Sequence, residues 1–183
     1  MRAFIRQGED LQAQFLPSEA ALLTSLVAQL TELLDPLAQA GEAPDDPDAM
    51  LNSLTHSTAG PPIQDPALRR LFPDAYRDDE QASVDFRRYT QSDQAQAKMR
   101  AARTVVTDIA AADDDLVSLP SGHVDDWLTT LTNLRLVLAV RLGIEHESDT
   151  EDLSRLPDED PRRPVVALLN WCGWIQETIL ADL

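Results

Sequence analysis

Arg135 is the first residue whose type and position demand a partner. It stands eleven positions after Val124 and four before Ala139, on or beside the apolar side of SGHVDDWLTTLTNLRLVLAVRLG, residues 121–143. A guanidinium in such a segment has to be paired, because an unpaired buried charge is very costly. Asp85, Asp93 and Glu177 are its candidate partners in a buried ion pair. Contact with a ligand or a protein partner is the alternative use of the same side chain.

Residues 69–103 are the one stretch with a basic excess. Arg69, Arg70, Arg77, Arg87, Arg88, Lys98, Arg100 and Arg103 stand there against six carboxylates. A cationic strip on an acidic body suits an acidic peptide, RNA or a second acidic surface, although neutralisation within the fold competes with all three. Arg69, Arg70, Arg77, Arg87 and Arg88 are the candidate interaction residues. A helix-turn-helix reading of residues 78–102 is disfavoured, since the arginines alternate with carboxylates that phosphate would repel.

Catalytic constellations are not evident. His56, His123 and His146 are scattered, with no H-x-x-x-H spacing for a metal. The chain has no G-x-S-x-G elbow, phosphate-cradling glycine loop or Cys-x-x-Cys pair. Acid clusters at Asp45-Asp46-x-Asp48, at 113–115 and at 148–152 lack the glycine-centred spacing of a calcium loop. Cys172 lies between Trp171 and Trp174 with no cation placed in sequence to stabilise a thiolate, so it reads as an inert core thiol. No enzyme, metal or cofactor is expected.

The elements that position these residues are mostly helical. Residues 3–6 and 11–15 read as a hairpin around Gly8, the second strand alternating Leu11, Ala13 and Phe15 with Gln12 and Gln14. A lone hairpin is marginal, so it needs a helical face or a third strand, for which residues 116–119 are the one candidate. Ser18 is placed to cap a long helix to about Ala40 that Pro36 should kink or end. Residues 41–64 carry four prolines and little periodicity, and read as a mobile loop or linker. Asp65-Pro66 and Asp78-Asp79-Glu80 are helix starts, and Thr90-Gln-Ser-Asp93 resembles a further restart toward Ala112. Gly143 caps the central helix. A last helix follows Pro164, its face made by Val165, Leu168, Leu169, Cys172, Ile175 and Ile179 and widened by Trp171 and Trp174. Truncating either Trp127 or Trp174 should therefore cost about 3–5 kcal/mol.

Fifteen Lys and Arg against 32 Asp and Glu leave a formal charge of −17, which keeps the chain soluble and repels polyphosphates. One cysteine gives no intrachain disulfide, no run approaches the ~18 consecutive apolar residues of a membrane span, and the start lacks a secretory apolar region. A cytoplasmic location without a membrane partner is expected.

Four phrases together resemble a family: FPDAYRDD, FRR-x-T-x-x-D, NLRL and the closing W-x-x-W-x-Q-E-T. The chain is similar, from about residue 10 to its end, to an actinobacterial family catalogued as a domain of unknown function, number twenty-seventeen. Members are often encoded beside the adaptor that feeds degrons to the Clp protease, so the resemblance implies regulation or proteolysis. It brings no catalytic residues.

The sequence thus describes a mainly α protein, a helical bundle around a buried central helix at about 121–143 with a small N-terminal β-hairpin at about 3–15, forming a single helical domain over 1–183. Its expected function is that of a regulatory or adaptor-like protein acting through a protein partner, with homo-oligomerisation left open. The contact surface is expected at residues 69–88 or on exposed parts of the tryptophan helix. The alternatives are a nucleic-acid-binding transcriptional regulator using residues 69–103, and an enzyme with an unfamiliar site.

Overall fold

The computed structural model describes residues 1–40, 63–76 and 79–183, without the side chains of Glu80, Asp85, Arg88 and Glu147. The expected loop or linker at 41–64 lies outside these residues except for Ile63 and Gln64. Strands β1 (Ile5–Gln7) and β2 (Asp10–Gln14) form the expected hairpin, turned at Gly8 with φ of +69°, a conformation that costs glycine nothing. The third strand is also where expected. β3 (Leu116–Leu119) pairs antiparallel with β2, Leu11 opposite Leu119, giving the order β1-β2-β3. Alternation holds along β2 and β3, so Leu11, Ala13, Phe15, Val117 and Leu119 point into the core, whereas β1 is exposed along its length.

Helix α1 spans Pro17–Gln39. Ser18 is not its cap. Proline takes the first helical position, where its fixed φ is already suitable, and the Glu19 carboxylate accepts from the Leu16 N–H at 2.8 Å while pairing with the amino group of Met1. Pro36 stays inside the helix, because the Glu32 carbonyl it leaves unserved belongs to an exposed turn that water can reach. By length and mean hydropathy α1 could cross a membrane. Its stripe of Leu23, Leu26, Val27, Leu30 and Leu34 is buried against the other helices.

Helix α2 (Pro66–Leu71) begins as expected, with the Asp65 carboxylate accepting from the N–H groups of Ala67 and Leu68. Helix α3 (Glu80–Ala110) begins at Asp79, whose carboxylate accepts from Ala82 N–H at 2.9 Å. It runs without the break expected near Thr90. That hydroxyl donates to the Phe86 carbonyl one turn back, which a residue inside a helix can do and a capping residue does not. After β3, a short 3-10 turn (Ser121–His123) leads into the central helix α4 (Val124–Arg141). Gly143, at φ +74°, closes it, and the Ile144 N–H returns to the Ala139 carbonyl at 2.9 Å. Helix α5 (Glu147–Ser154) and the last helix α6 (Arg163–Ala181) complete the chain.

Helix α4 packs against α2, α3 and α6, while α1 lies chiefly on α3. Trp127, Leu131, Leu134, Val137 and Leu138 of α4, and Leu142 just past its end, are buried, as a central helix requires. One flank is different. Leu136, Ala139 and Val140 are only half-buried and Arg135 is exposed, so the unbroken apolar run is not covered on every side. Trp174 is likewise not a core residue: it keeps 37% of its surface exposed on α6, so its truncation should cost less than the about 3–5 kcal/mol expected of a core position. At the far end Arg6 clasps the C-terminus, donating from Nε to the Asp182 carbonyl at 3.0 Å and from Nη2 to the Leu183 carbonyl at 2.8 Å.

Candidate functional site

The open flank of α4 faces α6 and forms a groove of about 610 Å³. Its apolar walls come from Leu136 and Ala139 of α4, Leu169 and Trp174 of α6, and Ile144 beyond the glycine cap. Helical periodicity explains the set. Leu136 and Ala139 are three apart, and Leu169 and Gly173 are four apart, so each helix lays a short stripe along the same trough. Arg135 lies in it.

Arg135 is exposed rather than buried, and of its expected partners Asp93 and Glu177 make no ion pair with it, while the side chain of Asp85 lies outside the described residues. Among the described residues it has no carboxylate within ion-pair distance, and its Nη1 instead donates to Gln176 Oε1 at 2.7 Å. Exposure removes the need for a charged partner, since water solvates the rest of the guanidinium. Gln176 is what fixes the geometry. It is 7% exposed, and its amide nitrogen donates to the Leu128 carbonyl at 3.1 Å and to Thr132 Oγ1 at 2.7 Å, so its oxygen is aimed at Arg135. The guanidinium lies across Gly173, where an added Cβ would sit 3.5 Å from Nε, an ordinary contact. Gly173→Ala should therefore stabilise the protein by about 0.5–1 kcal/mol through helix propensity, without displacing Arg135. A lower denaturant midpoint in this variant would show that the guanidinium needs the gap.

The described basic side chains at 69–103 differ in their surroundings. Arg69 and Arg70 are exposed on the last turn of α2, with no ion-pair partner among the described residues, whereas Arg87 is spent on Asp74. Arg77 and the side chain of Arg88 lie outside the described residues. Lys98 is turned inward: its Nζ donates to Asn133 Oδ1 at 3.1 Å and stands 5.6 Å from the Phe72 ring centre, and burial lowers the pKa of its ammonium. Arg100 and Arg103 line a separate, polar cavity of about 390 Å³ with Asp35 and Gln96.

The two described histidines share no hydrogen-bond partner. His56 lies outside the described residues, and His146 stands at the start of α5, where its N–H donates to Asp149. His123 places Nδ1 3.0 and 3.1 Å from the two oxygens of Asp108, a buried carboxylate that also accepts from Trp127 Nε1 at 2.8 Å. Among the described residues no serine, threonine or cysteine is hydrogen-bonded to that pair. Among the described residues no group of His, Cys, Asp and Glu could hold a metal ion. Cys172 is 0% exposed, and burial pushes its thiol up to about 11 despite the nearby Arg135.

The four phrases singled out in the sequence meet in space as pairs. FPDAYRDD joins FRR-x-T-x-x-D through Asp74–Arg87 and through Tyr76 and Phe86, whose rings meet edge to face at 6.3 Å. NLRL joins W-x-x-W-x-Q-E-T through Arg135 and Gln176. The chain belongs to the family described as Domain of unknown function (DUF2017), whose model matches residues 1–183. Its relatives include the Oxidative stress regulator AosR of Mycobacterium tuberculosis and that of Mycobacterium bovis, each 28% identical over all of this chain and 86% of theirs. A Mycobacterium leprae relative is 26% identical over 96% of this chain and 83% of its own. No solved structure matches the chain.

Gln176 was not a candidate from sequence. Its signal was there: it stands four residues after Cys172, so a polar amide interrupts the apolar face of α6 and must find partners.

Proposed function

We propose that the protein is a cytoplasmic regulator of an oxidative-stress response that acts by binding another protein and performs no catalysis. The observation that carries this reading is the groove between α4 and α6, in which an exposed tryptophan stands beside an arginine held in place by Gln176. Tryptophan and arginine are the residues that most often dominate binding energy at protein interfaces, and apolar surface kept open to water is what a partner would cover. The names of the relatives supply the regulatory context.

In this reading any response to oxidant does not start at an intrachain disulfide, because the chain has one cysteine and that thiol is buried and protonated at neutral pH. Iodoacetamide should accordingly modify the native protein at pH 7.5 at least about 100-fold more slowly than the urea-unfolded chain. Equal rates, followed by mass spectrometry, would place the thiol in play.

The function itself is tested by affinity capture from the protein's own cells, with and without peroxide. Wild-type bait should recover one or a few proteins repeatedly, and Trp174→Ala bait should lose them. Wild-type bait recovered alone under both conditions would end the reading. A place beside the Clp proteolytic machinery is one outcome of the same capture. Nucleic-acid binding by Arg69, Arg70, Arg100 and Arg103 predicts retention of RNA or DNA on filters that falls steeply with salt.

A further inference from the structure

We infer that the α4–α6 groove takes one amphipathic helix of a partner protein, with basic flanks and a single carboxylate in its apolar face opposite Arg135. This rests on the protein-binding reading above and adds what the bound element is.

The walls decide between a helix and an extended segment. Both are helices whose backbone groups are already paired internally, and the open edges of the sheet belong to strands that do not line the groove. An extended peptide laid there would bury its own N–H and C=O groups without partners. A helix brings its backbone bonds with it. Length agrees: from Thr132 to Ala139, and from Leu169 to Glu177, the trough runs about 10–12 Å, two turns of a docked helix with anchors at i, i+3 or i+4, and i+7.

Charge decides the flanks. Glu177 is exposed on the α6 rim, and Thr150 on the other side belongs to α5, whose sequence ESDTEDLS carries four acids. The whole chain has a formal charge of −17. Lysines and arginines flanking the apolar face are therefore attracted at long range and at the rim. The same charge disfavours a second copy of this chain as the occupant.

Arg135 decides the centre. A guanidinium has five N–H donors, and the bond to Gln176 uses one of them. In the open groove water serves the others. A helix covering them with apolar side chains alone would strand them, so it must offer a carboxylate there.

The test uses the full chain and three labelled 18-residue helical peptides with leucine faces. One has lysine flanks and a glutamate at the centre of the leucine face, the second replaces that glutamate with lysine, and the third has glutamate flanks. The first should bind wild-type protein at least about 10-fold more tightly than either other. Trp174→Ala should weaken it by about 10-fold or more, and Arg135→Glu should reverse the preference between the first and second peptides. Leu180→Ala, an exposed α6 residue outside the groove, should change neither. Circular dichroism of each variant confirms that the fold is kept, and Arg135→Ala, which should abolish the preference without reversing it, serves if Arg135→Glu unfolds. Equal binding of the first two peptides, binding indifferent to Trp174→Ala, or light scattering showing self-association that Trp174→Ala abolishes would each overturn the inference. A captured partner that crosslinks at Arg69 and Arg70 instead would overturn the groove assignment while leaving the regulator reading intact. Capture of no partner at all removes that reading first.

Discussion

Trp127→Ala should lower the stability of this protein by about 3–5 kcal/mol, the range for an aromatic side chain removed from a core with little room to collapse. The indole is 0% exposed. It meets Phe4 edge to face at 5.5 Å and Phe15 at 6.4 Å, so the hairpin, the strand exit and the central helix share one aromatic contact. Its N–H also serves Asp108, which burial leaves with few other donors. At this chain length each kcal/mol moves the melting temperature by about 2–4 °C, so a fall of about 6–20 °C is expected. Trp127→Phe separates the two roles. It keeps most of the packing and loses the donor, and should cost about 1–3 kcal/mol. A melting temperature unmoved in Trp127→Ala would mean that the core is not where the structure puts it.

The second large effect is a gain. Lys98 and Asn133 form a polar pair between α3 and α4 that is poorly satisfied: among the described residues the Asn133 Nδ2 group has no hydrogen-bond partner, and the partly desolvated ammonium makes no ion pair. The joint replacement Lys98→Met and Asn133→Leu should raise stability by about 1–3 kcal/mol, as apolar replacement of strained buried polar groups often does. Lys98→Met alone should gain less, because it strands the Asn133 carbonyl oxygen. The pH dependence carries a fixed sign. Burial lowers the folded-state pKa of Lys98, so between that value and the ordinary lysine value the unfolded chain holds more protons, and wild-type stability from this group rises with pH. The advantage of the double variant should shrink in urea titrations as the pH rises toward the ordinary lysine value. A double variant less stable than wild type at pH 8 would show that the pair is worth more than its desolvation.

These residues also mark what the sequence discloses and what it withholds. The β2 alternation, the Asp65 and Asp79 caps and the Gly143 stop are local: each depends on neighbours within a few positions, and each stands where the pattern puts it. Arg135 and Trp174 are different. Helical periodicity says that Leu136 and Val140 belong to an apolar run, but the flank left open depends on how far α6 and α5 reach across α4, which is set by tertiary packing. The expectation of a buried ion pair assumed a complete cover. Arg87 shows the converse, since a charge that reads as surface is tied to Asp74 thirteen residues earlier across the turn into α3. Thr90 misled because Ser and Thr make the same kind of local bond inside a helix as at its start.

The three-stranded sheet has a consequence for how the chain reaches this state. Gln12 and Ser118, bonded across β2 and β3 at 3.0 Å, are 106 positions apart, and the clasp of Arg6 on Leu183 spans 177. A ribosome releasing the chain from its beginning therefore exposes β2 long before its second neighbour exists. Helices α1 and α3 can associate early, but the aromatic junction under the hairpin closes only after β3 has emerged, and the ends are sewn together last. Such distant pairings are paid for in loop entropy before they return any stabilisation, so sheet closure is the slow event expected in refolding, well behind helix formation.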